Sequence, residues 1–144
     1  ARQRFTVGAN RVDCELSVEA TDGAFPGEIG WHPWFPKPRR LRFSPVAMYR
    51  RDDEIAVATG ELIPPEPPPW DDCFVNTAPV TLVYDREVAP ELTVSSDCDH
   101  WVVYDEPATT TCVEPQSGPP DSPNIRPRLV IPGEPLTRTM TLTW

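Results

Sequence analysis

With 144 residues, the chain is long enough for one domain with a sizeable core and too short for two. Hydrophobic residues make up 39% and charged residues 24%, which is typical of a globular protein rather than a disordered one. The net charge is −9 and Lys37 is the single lysine, so we expect no nucleic acid partner, because a phosphate backbone requires clustered positive charge.

The hydrophobic pattern predicts neither a membrane span nor a secretion signal, although a trimmed N-terminus would have removed such a signal. No apolar run approaches the length that crosses a bilayer, and the N-terminus lacks a basic segment followed by an apolar one. We therefore expect a cytoplasmic protein without a membrane partner, forming a single domain over residues 1–144.

The cysteines and histidines offer little material for a metal site. The four cysteines show neither a C-x-x-C pair nor zinc-ribbon spacing. Each lies in an apolar stretch, which favours a small buried hydrophobic side chain at Cys14, Cys73, Cys98 and Cys112. With only two histidines, His32 and His100, the chain is not expected to bind a metal, and we predict no organic cofactor.

The hydrophobic pattern predicts strands throughout. Twenty prolines spread along the chain exclude a helical bundle. Residues 11–20 alternate apolar and polar side chains, and residues 139–144 repeat this period of two, which is typical of a strand with one solvated face. Shorter candidate strands lie at residues 41–43, 80–84, 91–95, 101–104 and 129–131.

Turn residues separate these candidates at the spacing of an antiparallel sandwich or barrel. The fold class predicted from the pattern is therefore all-β. Residues 61–70 carry prolines at 64, 65, 67, 68 and 69, and we interpret them as a stiff, extended loop that leads into Asp71.

Three stretches carry candidate catalytic or binding side chains. Glu114 ends a short apolar run and is followed by Pro115 and a Gly/Pro/Ser turn, so we place this carboxylate at a strand-to-loop junction facing a cleft. His32 lies among three aromatic rings, in the stretch 30–35. Asp71 and Asp72 follow Trp70. Taken singly, each is also explained as a solvated glutamate, a packed core histidine or a pair of loop acids.

Together the aromatic and acidic residues describe a sugar site. The flat C–H face of a pyranose stacks on an indole ring, while its hydroxyls need fixed donors and acceptors. Trp31 and Trp34 would supply the rings, and Asp71 a carboxylate acceptor.

In their order and approximate separation, the three stretches resemble the aldose 1-epimerase (galactose mutarotase) family. His32-Pro33-Trp34-Phe35 is similar to its His-Pro-Tyr/Trp-Phe segment, and residues 71–74 to its Asp-His-x-Phe segment. Residues 114–120 match its Glu-Pro-Gln-x-Gly-Pro-Pro segment, which is the most specific of the three. Two positions depart from the family pattern: Pro36 follows Phe35, and Asp72 stands where a histidine is sometimes found.

The resemblance implies a large antiparallel β-sandwich of the galactose mutarotase-like type, a supersandwich, with a sugar on an open concave face. It implies His32 as general acid, Glu114 as general base and Asp71 as a hydroxyl-binding carboxylate, and we assign Trp34, Trp31 and Gln116 to the same sugar site. The reaction would interconvert the α and β anomers of a free aldohexose by ring opening and closure. We expect the polar tips of His32 and Glu114 to lie roughly 5–9 Å apart, on opposite sides of a gap that fits a sugar ring.

The resemblance covers about the C-terminal half of a typical member. The other half of the family fold contributes an arginine and a second histidine that hold the sugar, and residues 1–30 offer no replacement. Arg2, Arg4 and Arg11 are interpreted as strand-face residues. The sandwich would therefore be incomplete in this chain, and we expect a homo-oligomer or strand pairing with a missing N-terminal half, since unpaired edges associate.

Two alternatives stay open. A hexose 6-phosphate mutarotase would use Lys37, Arg39 and Arg40 to hold the phosphate. A carbohydrate-binding module would use the same sandwich and tryptophans without turnover. A glycoside hydrolase is less favoured, because it would require two facing carboxylates.

Overall fold

Two antiparallel sheets of six strands each form most of the structure, a computed structural model that describes residues 1–52, 54–55 and 57–144. The first sheet contains, in spatial order, β1 (Arg2–Val7), β2 (Arg11–Val18), β14 (Leu136–Thr143), β10 (Glu91–Ser96), β9 (Val80–Val83) and β5 (Arg40–Arg42). The second contains β4 (Trp34–Pro36), β12 (Thr110–Gln116), β11 (His100–Tyr104), β8 (Asp71–Val75), β6 (Ala47–Arg51) and β7 (Ala58–Ile63). A two-stranded sheet joins β3 (Phe25–Pro26) to β13 (Leu129–Val130), and the one helix among the described residues is α1 (Ser122–Ile125).

The inner faces of the two sheets form one hydrophobic core. Trp101 and Val113 of the second sheet pack with Leu82, Val94 and Met140 of the first. Trp101, Leu82, Val94 and Val113 are fully buried. The predicted antiparallel sandwich is therefore confirmed, because alternate residues of each strand supply this shared core.

Alternation in the sequence predicted the long strands of the first sheet correctly. The strand at residues 11–20 is β2, and the C-terminal strand is β14, which begins at Leu136, three residues before the predicted start. Cys14 lies opposite Met140 in this pair, and both side chains are buried. The four cysteines are all buried and free, as expected.

Among the described strands, β3, β4, β6, β7 and β8 were not predicted. Asp72 was interpreted as a loop acid, yet it lies in β8, in the interior of the second sheet. β6 pairs with β7 through a register shift between Tyr49 and Arg51, so a simple period of two is absent there. The proline-rich loop is shorter than expected, because β7 continues to Ile63.

The position of Glu114 also differs from the prediction. β12 continues through Pro115 to Gln116, so Glu114 lies inside a strand rather than at its end. The carbonyl oxygen of Pro115 accepts a hydrogen bond from Trp31 N at 3.1 Å, on the flank away from β11. The N and C=O of one strand residue face the same flank, so the missing N–H of Pro115 costs the β11–β12 ladder no hydrogen bond.

β1 is the outer strand of the first sheet and is exposed along its whole length. Phe5 and Val7 are 58% and 75% exposed. Phe5 pairs with the inward-facing Cys14, so its ring lies on the core side of the sheet at a point that the second sheet does not cover. The described part of the chain contains no helix long and apolar enough to cross a membrane.

Candidate functional site

The outer face of the second sheet, the face turned away from the first sheet, carries the candidate site. Val113 points into the core, so its neighbours Cys112 and Glu114 point to this outer face, as does Gln116. The cross-strand partners of these residues on β11 share the face: Tyr104 lies opposite Cys112, and Val102 opposite Glu114.

A close approach of two backbones brings His32 to Glu114. Gly30 bridges to Gln116, and Ser117 N donates to the carbonyl of Ile29 at 2.8 Å, so residues 29–31 run beside the end of β12. A Cβ at position 30 would lie 2.9 Å from Gln116 Cγ and 3.0 Å from its Cα. Only glycine permits this spacing, and the chain then places His32 two residues further along the same edge.

His32 and Glu114 are in direct contact. The imidazole Nε2 lies 3.2 Å from Glu114 Oε1. The His32 side chain is 61% exposed, whereas the Glu114 side chain is 4% exposed. The structure thus brings the predicted acid and base together, but the expected gap of roughly 5–9 Å is wrong. The anomeric and ring oxygens of a hemiacetal share one carbon, so an acid and a base that reach both of them need not be a ring width apart.

Glu114 has two further partners on its strand. Gln116 Nε2 donates to Glu114 Oε2 at 3.3 Å, so Gln116 contacts the carboxylate directly. The Cys112 thiol also hydrogen-bonds the carboxyl. Burial raises the pKa of Glu114 above its ordinary value, and the nearby Asp71 charge adds to this, while His32 and the two hydrogen bonds partly offset it.

His32, Cys112 and Glu114 are also the residues to test as metal ligands, since their ligand atoms lie within 4.8 Å of one another. A cysteine binds a metal as the thiolate. Burial, followed by the neighbouring Glu114, raises the pKa of Cys112 to about 11. The thiol therefore keeps its proton near neutral pH without a metal, and a metal ion at these three residues would have to displace that proton.

The two predicted tryptophans have different environments. Trp34 is 56% exposed, stacks on His32 with ring centroids 5.8 Å apart, and meets Tyr104 edge-on at 6.0 Å. Trp31 is only 7% exposed and packs in the core, although it also lines the cavity at Glu114, so it does not offer an open face like that of Trp34. The open aromatic surface consists of Trp34, His32 and Tyr104.

Asp71 lies on the same face as Glu114, but two strands away. It pairs with Tyr104, which in turn pairs with Cys112, so roughly 10 Å separates the backbones of β8 and β12. Its carboxylate meets the guanidinium of Arg51 at 3.3 Å. Asp71 lines a small neighbouring cavity of about 80 Å³ rather than the cavity at Glu114.

A larger cavity of about 370 Å³ opens at the acid–base pair. The stretch from Pro26 to His32 and the stretch from Gly118 to Pro123 line it. Glu114 and Gln116 also line it. The volume falls in the range typical of small-molecule sites, roughly 300–1,000 Å³.

Three residues of the site were missed by the sequence analysis: Glu28, Cys112 and Tyr104. Cys112 could have been found, because residues i and i+2 of a strand share a face, and it precedes Glu114 by two. Tyr104 depended on the pairing of β11 with β12, and Glu28 on contacts across 89 and 94 residues of sequence. No local pattern contains that information.

The raised pKa of Glu114 predicts a pH-dependent stability difference. A group whose folded-state pKa is raised contributes stability below its unfolded pKa, and this stability is lost as pH rises through the folded value. Glu114→Gln should therefore gain stability relative to the native chain as pH rises from about 4.5, the ordinary pKa of the carboxyl. Each pH unit of the shift corresponds to about 1.4 kcal/mol.

Urea unfolding between about pH 4 and pH 8 measures this difference. Glu87→Gln is the matched control, because Glu87 is exposed in the loop between β9 and β10, and its difference should stay flat. A flat difference for Glu114→Gln would contradict the raised pKa.

The antiparallel sandwich has the same fold as three solved structures, each of which matches nearly the whole chain. Over 98% of its length, the chain is similar to the structure of a candidate aldose 1-epimerase of Escherichia coli K12, with a TM-score of 0.77 and 19% identity. It is also similar to the Slr1438 protein of Synechocystis sp. PCC 6803, over 98% of this chain, with a TM-score of 0.70 and 16% identity. A GalM/aldose epimerase homologue of C. elegans matches over 96% of this chain, with a TM-score of 0.67 and 13% identity.

At these identities, the likeness establishes the fold. The chain spans 58%, 53% and 57% of the lengths of these three proteins, a little over half of each. No family model and no curated protein matches the sequence.

Proposed function

We propose that this chain carries the acid–base pair of a mutarotase, which interconverts the α and β anomers of a free aldohexose. The observation that supports it most directly is the 3.2 Å contact between His32 Nε2 and Glu114 Oε1 beside a cavity of about 370 Å³. The two groups differ in exposure, so the imidazole is accessible to a solute while the carboxyl is shielded from water.

The proposed reaction opens and recloses the hemiacetal ring. Glu114 takes the proton of the anomeric hydroxyl while His32 donates a proton to the ring oxygen. The bond between C1 and the ring oxygen breaks, and C1 becomes the aldehyde carbon. After rotation about C1–C2, both proton transfers reverse and the ring closes as the other anomer.

The surroundings of the pair suit this exchange. Each group must reach either protonation state near working pH. Burial raises the pKa of Glu114 towards that range, while the neighbouring imidazole favours the ionised form that accepts the proton. Positioned acid–base catalysis supplies roughly 10²- to 10⁴-fold per group, which suffices for a reaction that already proceeds unaided in water.

The sugar would be held by the aromatic surface and by polar groups at the cavity. Trp34, 56% exposed and stacked on His32, offers an indole face to a pyranose ring. Gln116 lines the cavity beside the base and can hydrogen-bond a hydroxyl there. Asp71 would reach only a hydroxyl on the side of the sugar away from Gln116, since its own cavity is separate.

The chain is shorter than its structural neighbours, which bears on how tightly it would bind a sugar. The whole proteins of this fold are longer, so we propose that further sugar contacts come from a part of the fold that pairs with the exposed strand β1, either in another copy or in additional chain. His100, the second histidine, does not supply them, because it is 2% exposed and its Nε2 lies 3.1 Å from the Tyr49 hydroxyl.

A carbohydrate-binding module is the second candidate. The exposed Trp34 beside Tyr104 favours it, since such a surface binds a sugar whether or not turnover follows. A phosphorylated substrate is less well supported. Lys37 Nζ donates to the Asp105 carbonyl, and Arg39 pairs with Asp85 at 2.8 Å, so two of the three proposed phosphate ligands are already engaged.

Polarimetry tests the proposal. Freshly dissolved α-glucose or α-galactose should relax to its equilibrium rotation faster with protein than without. Binding of the same sugars is measured in parallel by calorimetry. Unchanged relaxation together with measurable binding would overturn the mutarotase and establish the binding module.

A further inference from the structure

Glu28 connects the two chain segments that carry the acid–base pair. Both oxygens of its carboxylate accept hydrogen bonds from serine hydroxyls: Oε2 from Ser117 Oγ and Oε1 from Ser122 Oγ, each at 2.5 Å. Ser117 lies three residues after Glu114, and Glu28 lies four residues before His32. One side chain therefore links the segment that bears the acid to the segment that bears the base.

The Glu28 carboxylate packs directly against the backbone at Gly118. A Cβ at position 118 would lie 2.5 Å from the Cδ and from both oxygens of the Glu28 carboxylate, so Gly118 is required for the carboxylate to lie against the backbone. The Ser117 hydroxyl also accepts from Ile29 N at 2.9 Å. These contacts define a clamp, formed by Glu28, Gly118, Ser117 and Ser122, across the cavity walls.

We propose that Glu28 is a positioning residue that sets the contact between His32 and Glu114. The proposal rests on the proposed function. Residues 26–28 and 118–123 line the same cavity, and the clamp links them directly through side-chain hydrogen bonds. Without it, the segment that leads to His32 keeps its backbone hydrogen bonds at Gly27 and at residues 29–31 and the buried Trp31, but it loses its side-chain link to the segment of Glu114, and a small displacement of a catalytic group is costly.

The test compares Glu28→Ala with Glu28→Gln. Alanine removes both hydrogen bonds and should lower kcat for mutarotation by roughly 10²-fold, with little change in KM. The glutamine carbonyl can accept from the Ser117 hydroxyl, and its amide can donate to Ser122 Oγ. The Ser122 hydroxyl then donates to the Arg126 carbonyl, which lies 3.0 Å away. Glu28→Gln should therefore recover most of the lost kcat, which a role of the charge itself would not allow.

A second readout does not depend on turnover. With the clamp open, water reaches Glu114, so the pKa of its carboxyl should fall towards the ordinary value in Glu28→Ala. Titration of the Glu114 side-chain carbon by ¹³C NMR measures this shift. Glu87→Ala, on the exposed loop between β9 and β10, is the control and should change neither readout.

If Glu28→Ala does not fold, as judged by circular dichroism, Ser122→Ala removes one bond of the clamp and should shift both readouts in the same direction. An unchanged titration and kcat in the folded variant would overturn the positioning role while leaving the proposed function intact. A shifted titration in a protein that does not accelerate mutarotation would support the positioning role and overturn the function. Equal loss of kcat in the Ala and Gln variants would also overturn it.

Discussion

Glu114→Gln should lower kcat for mutarotation by roughly 10²- to 10⁴-fold and leave sugar affinity nearly unchanged. Glutamine has nearly the shape of glutamate, so it can keep the contact with His32 and the hydrogen bond from Gln116 by rotating its amide. It cannot accept a proton from the anomeric hydroxyl. The loss should therefore fall on the proton transfer and not on binding.

Polarimetric kcat and KM, with calorimetric affinity, separate these effects. Glu87→Gln is again the control, because it removes one carboxylate of the same size from an exposed loop. Equal loss of binding and rate in Glu114→Gln would contradict the assignment of Glu114 as base, since that pattern describes a folding defect or a pure binding site.

Local sequence patterns predicted most of the first sheet and little of how the second is assembled. Alternation in residues 11–20 and 139–144 is long enough to define one buried face, so β2 and β14 were found. β8 was not predicted because it begins with Asp71 and Asp72, and two adjacent charged residues are typical of a loop unless the neighbouring strands are known. β6 escaped because a register shift interrupts its period.

The site shows the same division between local and distant information. The motifs identified His32 and Glu114, and the structure brings them into contact. The sequence could not show that Trp31 faces the core while Trp34 faces outward, since both lie in one irregular stretch before β4. Nor could it show why residue 118 is glycine, because the reason is a carboxylate ninety residues away.

The contact between His32 and Glu114 also affects the pKa of the Glu114 carboxyl. Burial raises the pKa of Glu114, and the neighbouring His32 is the group that does most to lower it. The imidazole is thus the acid of the proposed reaction and also a determinant of the base. Variants at the two positions should therefore not behave as independent changes.

His32→Asn should lower kcat by roughly 10²- to 10⁴-fold, since no group remains to protonate the ring oxygen. It should also raise the pKa of Glu114, because the carboxyl keeps its burial and loses the neighbouring imidazole. The acid limb of the pH–rate profile, which reports ionisation of the base, should then move to higher pH.

The control is the double variant His32→Asn with Glu114→Gln, whose loss of kcat should be no greater than that of the worse single variant, because the two groups act as a unit. Additive losses, or an acid limb that does not move in His32→Asn, would show that the two side chains work separately despite their 3.2 Å contact.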